Sequence, residues 1–78
     1  MARPNMSDKE LLEDQLIQAN KYILRAEINV AAQEVRIKRL AEIGCDTARS
    51  QELLEVFKTT LQAMHVHRNA ILARLLKR

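Results

Sequence analysis

From Leu11 to Leu76 the chain contains one glycine, Gly44, and no proline. With so little to interrupt a helix, the backbone can form one long rod or two helices folded at Gly44, and the residues around the glycine decide between them. In Ile43-Gly44-Cys45-Asp46-Thr47 a residue that readily takes the left-handed conformation found past helix ends is followed at once by Asp46 and Thr47, both able to cap a helix start. A stop signal followed by a start signal predicts that the second helix folds back along the first.

The first helix has a start signal of its own. Ser7-Asp8-Lys9-Glu10 has the form of a capping box, in which the serine oxygen accepts from the Glu10 amide and the Glu10 carboxylate reaches back. The expected organisation is helix 1 over about 7–43, a turn at 44–46 and helix 2 over about 47–76. Residues 1–6 hold Pro4 and show no periodicity, and are expected to be a mobile, disordered tail. Folding back brings Asp8, Glu10, Glu13 and Asp14 near Arg74, Lys77 and Arg78, and each cluster also suits the dipole of its own helix end.

Hydrophobic residues make up 47% of the chain and aromatics 3%, a balance that suits helices packed by aliphatic side chains and predicts an all-α protein. A chain of 78 residues buries little of its surface alone. One cysteine excludes an intrachain disulfide framework, and Cys45 with His65 and His67 gives too few ligands for structural zinc, which leaves oligomerisation as the supplement to the core. No apolar run approaches the ~20 residues that span a bilayer, and no signal-peptide core follows Met1, so a cytoplasmic protein with no membrane role is expected. A net charge of +3 permits an anionic partner without demanding one.

Each helix carries two apolar seams. The first on helix 1 is Leu12, Leu16, Ala19, Ile23, Ala26, Val30, Gln33, Ile37 and Leu40; on helix 2 it is Leu54, Phe57, Leu61, Met64, Arg68, Ile71 and Leu75. Steps of three and four are coiled-coil spacing, and an antiparallel hairpin sets Ile37 level with Leu54, Val30 with Leu61, Ile23 with Arg68 and Leu16 with Leu75. A second stripe on helix 1, Ile17, Leu24, Ile28, Ala31 and Val35, lies about 120–180° around from the first. Helix 2 has a matching one of smaller residues: Val56, Thr59, Ala63, Val66, Ala70 and Ala73. One hairpin cannot bury four stripes. The expectation is a homodimer forming a four-helix bundle, with the large second stripe of one chain against the small stripe of the other.

Between the stripes of helix 1 runs a polar line of Asn20, Glu27 and Glu34, with Lys38. Glu27 lies near the level of Arg68, and the two read as an interhelical pair that fixes the hairpin register. Two solvated side chains are the plainer alternative.

Catalysis finds little footing. The chain has no glycine-rich phosphate loop, no nucleophile with a base in reach, and no hollow for two helices to enclose, so no enzymatic activity and no cofactor are expected. His65 and His67, two positions apart, point to opposed sides of a helix, whereas a shared metal needs spacing of three or four. Cys45 reads as an unreactive thiol in an exposed turn. Lys21, Arg25, Arg36 and Arg39 share one narrow sector of helix 1, a lengthwise basic stripe able to contact phosphates. The shortage of aromatics for base stacking, with no groove-reading motif, favours a plain solvated face over nucleic-acid binding.

Gly44-Cys45-Asp46-Thr47, followed by Leu53-Leu54, Phe57, Leu61, Met64, His67-Arg68 and Ile71, resembles a group of short bacterial helical-hairpin proteins of unknown function. The resemblance covers about Leu16 to Leu76. It implies the antiparallel hairpin fold and no activity. The functional expectation is therefore a small self-associating interaction module with an unidentified protein partner. A basic accessory protein binding nucleic acid through Lys21, Arg25, Arg36 and Arg39 is the alternative.

Overall fold

A computed structural model describes residues 7–77 and contains two helices, α1 (Asp8–Glu42) and α2 (Ala48–Leu76), packed against each other as an all-α antiparallel hairpin. The expected tail at 1–6 and the charge at Arg78 lie outside the described residues. α1 starts as its capping box predicts: Ser7 is extended, its Oγ accepts from the Glu10 amide at 3.1 Å, and its hydroxyl donates to the Glu10 carboxylate at 3.0 Å. One of the orphan donors of the first turn is thereby satisfied, and Asp8 and Glu10 face the positive helix pole.

The turn is built by hydrogen bonds that only a left-handed residue allows. Gly44 has φ +79°. Its amide donates to the Ala41 carbonyl at 3.1 Å, and the Cys45 amide donates to the Leu40 carbonyl at 2.9 Å. This is the paired closure of a Schellman motif, and it satisfies carbonyls that the end of α1 would otherwise leave open. Of the two candidate caps for α2, Asp46 supplies the side-chain bond: its Oδ1 accepts from the Ala48 amide at 3.0 Å, while Thr47 occupies the cap position and makes no side-chain bond.

Packing follows the first seams. Leu12, Ala19, Ile23, Ala26 and Gln33 are buried on α1, and Leu54 and Ile71 on α2; every other seam position on both helices is half-buried. A cluster of buried apolar residues sits at the open end of the hairpin, where Leu12, Ala19 and Ile71 meet with Leu16 and Leu75 packed on them. Nearer the turn a polar contact holds the helices: Gln33 Nε2 donates to the Ser50 carbonyl of α2 at 2.9 Å. Among the described residues no helix is long and apolar enough to cross a membrane.

Candidate interaction surfaces

The second stripes face solvent. On α1 Ile17, Leu24, Ile28 and Val35, and on α2 Val56 and Val66, are all 51–60% exposed. Ala31, Thr59, Ala63, Ala70 and Ala73 are exposed beside them. The hairpin thus buries one face of each helix and leaves in water a row of branched aliphatics on α1 and, on α2, two valines among small residues. Ala70 also belongs to a different surface, since it lines a hollow between the helices with Ala19 and Ile71.

Among the described residues Glu27 and Arg68 form no ion pair or hydrogen bond with each other. The Arg68 guanidinium donates across the hairpin to Asn20 Oδ1 at a long 3.5 Å, and along its own helix to Asn69 Oδ1 at 3.0 Å. His65 Nδ1 lies 3.4 Å from its Nη2, where it accepts if its proton is on Nε2. The polar link between helices at this level is Asn20 with Arg68, in place of an ion pair to Glu27. The physical reason is solvation: Glu27 is exposed, and an exposed ion pair is worth only ~0–1 kcal/mol, too little to draw the guanidinium from the amides beside it.

Lys21, Arg25, Arg36 and Arg39 are all exposed, and none of their side chains makes a hydrogen bond or ion pair among the described residues. They do not form a single surface with solvent on every side. Arg25 and Arg36 line hollows between the helices, Arg36 and Arg39 line another with Val35 and Ile43 near the end of α1, and Lys21 lines none of these. His65 is half-buried against Arg68, His67 is exposed beside Arg74 and Tyr22, and Cys45 is exposed in the turn.

Two features went unread in the sequence. Gln33 stands at a seam position, and a polar residue there was a signal that it bonds across the helix pair. The second is a groove. Three hollows along one side of the hairpin join end to end: the first shares Tyr22 with the second, and the second shares Asn29 and Phe57 with the third. Both aromatic residues of the chain line it. Its floor is apolar, with Ala19, Ala26, Phe57, Met64 and Ile71, and its rims carry Arg74, Arg25 and Arg36.

No protein-family model, no curated protein and no solved structure matches this chain. The structure itself shows a small all-α helical hairpin.

Proposed function

We propose that this chain is a self-associating helical hairpin that serves as a protein-protein interaction module. The observation that carries the reading is the pair of outer stripes, in which Ile17, Leu24, Ile28 and Val35 on α1 and Val56 and Val66 on α2 stand more than half exposed on a hairpin with no fully buried side chain among its described residues. Aligned aliphatics of this size are costly in water, and a core this thin gains most from burying them. The large stripe of one copy against the Val56, Ala63, Val66 and Ala73 stripe of another lets the backbones approach closely and builds a four-helix assembly. The resemblance to short bacterial helical hairpins fits a module of this kind, and a single exposed thiol at Cys45 suits a reducing compartment such as the cytoplasm. No catalytic step is part of this reading.

The test is absolute mass in solution with reductant present, by light scattering after size exclusion across a dilution series. The wild-type chain is expected well above its 9.0 kDa monomer mass, and Leu24→Glu with Ile28→Glu is expected to return it to the monomer. A wild type that stays monomeric at the highest concentration, or a double mutant of unaltered mass, rejects the proposal.

A second reading, phosphate binding by Lys21, Arg25, Arg36 and Arg39, is favoured by their exposure and freedom from ion pairs. Such binding falls steeply with salt, whereas apolar association is nearly indifferent to it. Replacing all four with glutamine abolishes nucleic-acid retention in this reading, and unchanged retention rejects it.

A further inference from the structure

The groove between the helices is a surface apart from the outer stripes, Ala70 excepted, and its composition points to one kind of occupant. It runs from the level of Asp14 and Arg74 to that of Arg36 and Leu53. At about 1.5 Å per residue the α1 wall from Asp14 to Arg36 is about 33 Å long, the length of a helix of about six turns. The floor is apolar and the rims are cationic. Arg74 stands in the first hollow, Arg25 in the second and Arg36 in the third, while Asp14 is the one carboxylate among their lining residues. None of the three guanidinium groups makes a hydrogen bond or ion pair among the described residues. Tyr22, 53% exposed, stands where the first two hollows meet and offers a ring face beside a phenol that can donate or accept.

An apolar floor with positive rims is complementary to an amphipathic helix whose apolar face is flanked by carboxylates. Nucleic acid fits less well, because its bases would have to lie on alanine, methionine and isoleucine rather than on a run of aromatic platforms. The α1 rim places Arg25 and Arg36 about 16 Å apart, three turns, so carboxylates about three turns apart on a docked helix meet both. We propose that this groove docks an acidic amphipathic helix of another protein, held by Arg25, Arg36 and Arg74 over the Phe57 floor and beside Tyr22. The inference does not require self-association, since the outer stripes contribute nothing to the groove except Ala70.

The experiment titrates full-length protein into a fluorescein-labelled synthetic helix of about six turns, with leucines on one face and glutamates flanking them, and reads anisotropy. A second peptide carries lysine in place of every glutamate. Saturable binding of the acidic peptide alone is expected. Arg25→Glu with Arg36→Glu should weaken it by about tenfold or more, and about 0.5 M salt should weaken it several-fold. Both substitutions are at exposed positions, and circular dichroism reports whether the variant keeps its helices. Tyr22→Ala, which leaves the charge intact, is expected to weaken binding without changing its salt dependence. Equal binding of the acidic and basic peptides, no binding of the acidic one, or full affinity in the arginine variant overturns the proposal. So does binding of an oligothymidine that outcompetes the peptide, which would make the groove a polyanion site. A fall in the mass of the protein alone on Arg25→Glu and Arg36→Glu overturns it too, since a second copy would then be the occupant.

Discussion

Ile23 and Ile28 stand on the same helix and differ in nothing chemical, yet Ile23 is 6% exposed and Ile28 58%. Five residues rotate the side chain by about 140°, which carries it from the face that meets α2 to one that meets water. In a larger protein both faces of such a helix would find neighbours. Here each helix has one partner, so burial is decided by angle to that partner and not by residue type. The inner seam is the part of the chain that folds it, and the outer stripe is apolar surface that folding leaves unused. Variants that separate the two test this division.

The largest effect is expected at the open end. Ile71 is 4% exposed and packs with Leu12 and Ala19 in the buried apolar cluster of the hairpin. Ile71→Ala removes that contact and leaves a cavity that two helices cannot easily close, at a cost of about 2–4 kcal/mol. Urea unfolding of the dilute protein followed by circular dichroism measures it. A loss below about 0.5 kcal/mol, the range of ordinary surface substitutions, would mean that the seam is not the folding core.

The seam also contains a polar member whose removal has two outcomes. Gln33→Ala loses the bond to the Ser50 carbonyl and leaves space at a buried position, for about 1–2 kcal/mol. Gln33→Leu fills the space, and the Ser50 carbonyl, inside α2, keeps its helical partner, so stability is expected within about 1 kcal/mol of wild type. If leucine costs as much as alanine, the hydrogen bond itself, rather than packing, holds this half of the hairpin. At the turn, Gly44→Ala meets no steric obstacle, because nothing lies within 4 Å of the added Cβ. Its cost is the left-handed conformation alone, about 1–2 kcal/mol, and it is read from the same unfolding midpoints.

These expectations follow the line between what was legible in the sequence and what was not. Periodicity identified both inner seams, and Ser7 with Gly44 marked where α1 begins and ends, because caps and seams depend on local spacing. The partner of Arg68 was not legible. Levels across a hairpin are set only to within about a turn, and a long guanidinium can reach Asn20 or Glu27 from the same position. The bond from Gln33 ends on a backbone carbonyl, which has no signature in a sequence. The groove was hidden for another reason: Tyr22 and Phe57 are far apart in the chain, and only the packed pair of helices brings them to one hollow. Features that need one helix were readable, and those that need the docking of two were not.

The smallest expected effect is the sharpest test of the comparison, because its sign depends on concentration. In the dilute monomer Ile28 touches mostly water, and alanine is the better helix former by a few tenths of a kcal/mol, so Ile28→Ala should leave stability unchanged or raise it slightly. Once copies associate through the outer stripe, the same substitution removes apolar area from the interface, and the variant should become less stable than wild type. Unfolding midpoints measured over a hundredfold range of protein concentration should therefore rise with concentration for the wild type and stay nearly flat for Ile28→Ala, the two lines crossing at low concentration. Parallel lines would mean that Ile28 contributes to the folded monomer as Ile23 does, and the division between seam and stripe would fail at the residue that defines it.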